Sequence, residues 1–134
     1  LALLPGSDSN RHLTNEVLMG LIERDGIIGM VPANGFLMVD WHNRGGRGAV
    51  SVDLLVAQID YICQLAGDAR HVGLGSDFDG GFGLQSVPVE LDTIADLQIL
   101  APRLAQKGYT EVDITAILGN NWLGMLQHIL PEVV

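Results

Sequence analysis

Two short apolar runs constrain this chain more than any other feature. Ile27-Ile28-Gly29-Met30-Val31 and His71-Val72-Gly73-Leu74-Gly75-Ser76 are too short for helices. Neither alternates polar with apolar residues, which is the pattern of parallel strands buried on both faces. Between them lies a helix with both ends marked. Ser51 is a good N-cap and Asp53 sits in the first turn. Leu55, Ile59, Ile62, Cys63 and Ala66 share one face, and Gly67 suits the C′ position. Strand, helix, strand in this order predicts an α/β chain built on a parallel sheet.

The flanking segments fit the same plan. Residues 1–13 read as loop, with turn chemistry in Pro5-Gly6-Ser7-Asp8-Ser9-Asn10. Thr14 caps a predicted helix with Glu16 in its first turn, Val17, Leu18, Leu21 and Ile22 at helical spacing, and Gly26 at its end. Residues 41–48 and 77–91 read as loops. Asp92 to Lys107 is predicted helical, with Pro102 starting a new turn or kinking it. Thr110 and Asp113 resemble a capping box. Gly119-Asn120-Asn121 is predicted to break that helix before a short final one, Trp122 to Ile129.

Composition narrows the function classes. The hydrophobic fraction of 48% is enough for a core. A net charge of −9 argues against a nucleic-acid partner. No apolar run approaches the roughly 18 residues of a membrane span. No signal-peptide series follows Leu1, which suggests a cytoplasmic location. The single cysteine, Cys63, excludes an internal disulfide framework and a cysteine zinc site, and its spacing predicts a buried thiol. The 17 glycines cluster at the ends of apolar runs, as tight strand and helix junctions require.

Candidate chemistry gathers after the second strand, in Gly75-Ser76-Asp77-Phe78-Asp79-Gly80-Gly81. An acid where a parallel strand ends lies at the rim where α/β proteins place their sites. From spacing alone, Asp77 is either such an acid or a turn cap, as is Asp79. A calcium loop counted from Asp77 puts Phe82 and Pro88 where Gly and Glu are needed. No Gly-Lys-Ser/Thr follows the glycines, which excludes a phosphate loop. His71 and Asp77 are six residues apart, about 20 Å along a strand, too far to share one ion. His12, His42 and His128 lack metal spacing and read as surface or loop residues. Arg11 is a cation before a capped helix, suited to carboxylate recognition or to solvation. Asn34, after the first strand, sits at the same rim or in a turn.

Together, these segments resemble the C-terminal part of the renal (membrane) dipeptidase family, the M19 metallopeptidases. The resemblance is carried by Arg11-His12-Leu13-Thr14, Leu21 to Gly29, His71 to Gly80, and Ile117 to Leu123. It implies that residues 1–134 are a partial (β/α)₈ TIM-barrel domain of a metallo-hydrolase, supplying the last two strands and their helices. A barrel of that kind takes about 250 residues. It implies a dipeptide substrate cleaved by a hydroxide bridging two zinc ions. Asp77 matches the family's proton shuttle near the substrate's amino end, and Arg11 matches the arginine that binds the substrate carboxylate. The family's zinc ligands all lie upstream of the matching stretch, so no metal ligand and no activity is expected of this chain alone. Ser7-Asp8-Ser9 looks like a family Ser-His-Ser motif with Asp for His, but it abuts Arg11 too closely. Ala33 and Phe36 stand at positions that are aromatic in some relatives, and Gly124 stands where an arginine is frequent. The rival expectations are a non-catalytic binding module, and a half-barrel that forms a homo-oligomer or docks on a chain carrying the missing N-terminal barrel segment.

Overall fold

A computed structural model describes residues 4, 7 and 10–131. Most of the turn expected at Pro5 to Asn10, including Asp8 and Ser9, lies outside the described residues. The elements run α1 (Asn15–Ile22), β1 (Ile28–Met30), α2 (Asn34–Leu37), a 3₁₀ turn (Gly46–Ala49), α3 (Val52–Ala66) and β2 (Val72–Leu74). They continue with 3₁₀ segments at Leu84–Ser86 and Ile94–Ile99, α4 (Leu100–Gln106), α5 (Glu111–Thr115), a π-helical turn (Ala116–Asn120) and α6 (Asn121–Ile129).

The two strands pair in parallel, with Ile28 opposite Val72, Gly29 opposite Gly73 and Met30 opposite Leu74. The ladder extends by one bond at each end, Ile28 N–H to the His71 carbonyl at 2.9 Å and Gly75 N–H to the Met30 carbonyl at 3.0 Å. Helix α3 connects them. Ser51 Oγ accepts from the Asp53 N–H at 3.2 Å. Gly67 ends the helix at φ 81°, a left-handed conformation that favours glycine. Leu55, Ile59 and Ile62 of α3 are fully buried, in one core with Ile28, Met30 and Val72. Each such side chain contributes about 1.5–3 kcal/mol by leaving water. Cys63 is buried in the same helix.

Side chains alternate across a strand, so Gly29 and Gly73 face away from Ile28 and Val72. They make a bare strip, and Trp122 lies along it. A Cβ at Gly73 would fall 2.7 Å from Trp122 Cδ1, and one at Gly29 would fall 3.4 Å from Cζ2. The Trp122 indole N–H donates to the Leu74 carbonyl at 3.0 Å. The Asn121 amide donates to the Ala69 and Val72 carbonyls, both at 2.7 Å. These bonds seat α6 on β2.

The expected helix break at residues 119–121 is absent. The chain stays helical from Glu111 to Ile129, passing through the π turn at 116–120. A π turn admits an extra residue without ending the helix, and it brings Asn121 and Trp122 onto the strand. The segment expected helical from Asp92 starts instead with a 3₁₀ stretch capped by Thr93 and Asp96, and becomes α-helical at Leu100. Pro102 lies in the first turn of α4, where a missing N–H costs little. Helix α2 and the 3₁₀ turns were not expected, being too short to carry a periodic pattern.

Gly73→Ala is expected to cost about 1–3 kcal/mol, the range for overpacking. Adding Trp122→Leu should recover part of that loss. Urea denaturation of the single and double variants checks both, and a Gly73→Ala chain as stable as the parent would contradict this packing.

Candidate functional site

Parallel strands present their C-terminal ends together, and two of the candidate residues follow such ends. The chain leaving β1 enters α2 at Asn34, and the chain leaving β2 reaches Asp77. Phe36, on α2, brings in the segment that precedes α1. The Arg11 guanidinium sits over the Phe36 ring at 5.0 Å, a cation–π distance. The His12 ring meets Phe36 edge-on at 6.0 Å. The structure thus gathers Arg11, Asn34 and Phe36 after the first strand and places Asp77 after its parallel neighbour. Phe36 as the platform for Arg11 was not foreseen. Its place just beyond a predicted strand was the available signal.

Asp77 is exposed and left-handed, with φ 54°, and Asp79 follows at φ 68°. Aspartate tolerates this region better than most residues, though at some cost. The turn is tight. Gly80 N–H donates to the Asp77 carbonyl at 2.9 Å, and a Cβ on Gly80 would fall 2.6 Å from Asp77 Cγ. Only glycine there leaves room for the carboxylate folded over the turn. Strained backbone of this kind is concentrated at functional sites.

Asn34 lies at the rim but is fully buried, and among the described residues neither its Oδ1 nor its Nδ2 has a partner. His12 is in a loop as expected, yet it is buried rather than on the surface. His42 stacks on Trp41 at 3.7 Å, and His128 is exposed. His71 is buried with its Nδ1 3.0 Å from the Gly26 carbonyl, at the opposite end of the strands. Among the described residues, no group of three or more His, Cys, Asp or Glu could hold a metal ion. These residues do not make a metal centre by themselves.

The loops after the two strands are joined by one side chain, Arg47, from the stretch 41–48 that reads in the sequence only as loop. Arg47 Nε donates to the Val87 carbonyl at 3.2 Å. Its Nη2 faces the carbonyls of Pro88 and Val89 at 3.2 Å and Leu91 at 3.1 Å, and pairs with Asp92 at 2.7 Å. Glu90 adds a second tie. It accepts from Ser51 Oγ at 2.6 Å and from the Val52 N–H at 2.9 Å, capping α3 from outside. Burial pushes the Glu90 carboxyl up, but the bonds from Ser51 and Val52 outweigh it and hold the group below its ordinary 4.5.

Cavities also lie away from this rim. One, of about 630 Å³, opens at the other end of the strands between His71 and Gly124. The second, of about 320 Å³, borders Cys63 and Tyr109. Tyr109 donates to Asp60 at 2.8 Å, and burial raises the pKa values of both Cys63 and Tyr109. Neither cavity touches Asp77 or Arg11.

The profile of the membrane dipeptidase family, peptidase family M19, matches residues 6–130. The chain belongs to this family. An uncharacterized protein in the pqqA 5′ region of Klebsiella pneumoniae is 33% identical over 123 residues, covering 91% of this chain and 42% of that protein. Dipeptidase aclJ of Aspergillus oryzae is 33% identical over 125 residues, covering 93% of this chain and 27% of that one. The crystal structure of the M19 metallopeptidase dipeptidase AC superposes with a TM-score of 0.73 and 28% identity, over 87% of this chain and 32% of that one. An amidohydrolase from Pseudomonas aeruginosa shares the fold, with a TM-score of 0.71 at 20% identity. The chain therefore spans less than half the length of these proteins.

A carboxylate with a depressed pKa stabilises the fold above its unfolded pKa and loses that contribution as pH falls through the lower folded value. The Glu90 contribution is thus present above pH 4.5 and fades below it. Glu90→Gln should be less stable than the parent near neutrality, with the gap narrowing in acid. Urea midpoints measured from about pH 6 to pH 3 check this, and a gap that widens in acid would contradict it.

Proposed function

We propose that these residues form the carboxy-terminal part of a zinc-dependent dipeptidase, supplying the last two strands of a (β/α)₈ barrel with their helices. The observation that supports this best is a carboxylate after β2 and a guanidinium stacked on Phe36, which follows the neighbouring β1, in a chain of the membrane dipeptidase family. The zinc-binding residues are assigned to a part of the protein outside this stretch. On this reading the isolated chain is inactive.

A dipeptide is a zwitterion, and the two ends of the site have opposite charge. Its carboxylate suits the paired N–H donors of Arg11, which is stacked over the Phe36 ring. Its amino end then falls on the side of Asp77. Collapse of a tetrahedral intermediate expels an amine, which must gain a proton. On this reading the exposed Asp77 carboxyl, held in its tight turn, carries that proton. On this reading Asn34, fully buried here, becomes a substrate-binding amide when the segment over it shifts to admit substrate, which then meets its donors and acceptor.

The test compares the isolated 134 residues with a longer polypeptide that carries them. The isolated chain should bind no tight stoichiometric zinc by elemental analysis and cleave no dipeptide, while the longer polypeptide should do both. In the latter, Asp77→Asn should lower kcat by about 10²–10⁴, and Arg11→Gln should act chiefly on KM. Zinc binding with turnover by the isolated chain, or full kcat in Asp77→Asn, would overturn the reading.

Asn34→Leu gives a separate check. No protein hydrogen bond is lost, so stability should hold or rise by about 1 kcal/mol. The KM for a dipeptide should nonetheless increase. Thermal unfolding and steady-state kinetics on one preparation distinguish the two effects.

A further inference from the structure

The loop after β2 encloses a cavity of about 180 Å³, beginning one residue beyond Asp77. Phe78, Phe82, Leu84 and Val87 supply its apolar walls, with Asp79 and Asp92 among its lining residues. The volume is far above the roughly 10–15 Å³ that admits a single water. Arg47 bonds two members of the wall directly, through the Val87 carbonyl and the Asp92 carboxylate. Its other bonds, to Pro88, Val89 and Leu91, fix the chain between those two. Leu84, by contrast, is 48% exposed and forms an open part of the wall.

We propose that this cavity receives the side chain of the substrate's N-terminal residue, and that Arg47 is the positioning residue that keeps its wall in shape. The inference rests on the dipeptidase reading and adds the specificity that reading leaves open. Charge sets the direction. Arg11 belongs to the segment stacked on α2, whereas Asp77 and Asp79 belong to the cavity loop. A zwitterionic dipeptide therefore turns its ammonium group toward the cavity and its carboxylate away from it. The side chain beside the ammonium group is the one within reach of Phe78 and Phe82. Apolar walls select an aliphatic or aromatic group there, because it displaces water without stranding a polar atom. The side chain of the second residue meets no such demand.

The experiment uses the polypeptide that turns over dipeptides, with Leu-Gly, Gly-Leu and Gly-Gly as probes. The parent should prefer Leu-Gly to Gly-Gly by about tenfold or more in kcat/KM, as an apolar pocket permits. Leu84→Trp should fill part of the cavity and remove most of that preference, lowering kcat/KM for Leu-Gly far more than for Gly-Gly. Phe82→Ala should shift preference toward a larger N-terminal side chain, read with Phe-Gly as a fourth probe for this variant. Arg47→Ala should flatten the Leu-Gly to Gly-Gly ratio, and added guanidinium should restore it. A purely structural arginine would lower both substrates together. Equal loss on all three dipeptides in Leu84→Trp, or a parent that prefers Gly-Leu, would overturn the pocket while leaving the dipeptidase reading intact. A parent that cleaves no dipeptide would overturn both.

Discussion

A pair of parallel strands cannot stand on its own ladder, and what supports this one is the helix seated across it. Asn121 and Trp122 satisfy three carbonyls at and beside β2, those of Ala69, Val72 and Leu74. The indole also covers the strip where Gly29 and Gly73 lie side by side. Each element needs the other. The glycines allow a helix to approach the backbone closely, and the helix shields backbone that has no side chains of its own. The π turn at 116–120 belongs to this contact, since it carries the helix onto the strand without interrupting it. With the strand pair held from that side and α3 packed on the other, the strand ends have fixed positions from which Asn34 and Asp77 extend.

The rim depends on polar contacts of another kind. Four carbonyls of residues 87–91 turn toward one guanidinium, and Glu90 turns outward to cap α3. A lysine lacks the second nitrogen by which Nε reaches the Val87 carbonyl while Nη2 meets Asp92. The loop after β1 thereby anchors the loop after β2. The candidate acid and the candidate cavity share a segment whose far end is tied to the neighbouring strand's connection.

Much of the scaffold was legible because it follows local rules. Ser51 and Gly67 mark the ends of α3, and the two apolar runs contain the observed strands, which occupy three residues of each. The position of Asp77 after a strand was legible too, because strand ends place residues at a rim. The rest depends on groups far apart in sequence or on groups that patterns ignore. The partners of Arg47 are mostly backbone carbonyls 40 to 44 residues away, which any sequence could offer. The burial of Asn34 and His12 comes from packing around α2, a helix of four residues. Gly119-Asn120-Asn121 has the composition of a break, yet tertiary bonds from Asn121 hold the helix through it.

The glycine strip under Trp122 also bears on when the rim comes into being. The indole reaches a carbonyl 48 residues back, Asn121 reaches one 49 residues back, and Arg47 pairs with Asp92 45 residues ahead. Each closes a long loop before its own contact can offset the entropy lost. Folding dominated by such distant pairings is slow and leaves little native structure along the way. During synthesis, the seat for Trp122 cannot close until the last helix has left the ribosome. The strand ends that organise the rim are therefore held firmly only after almost the entire stretch is available, and a chain cut short before residue 122 would lack the support on which its strand pair rests.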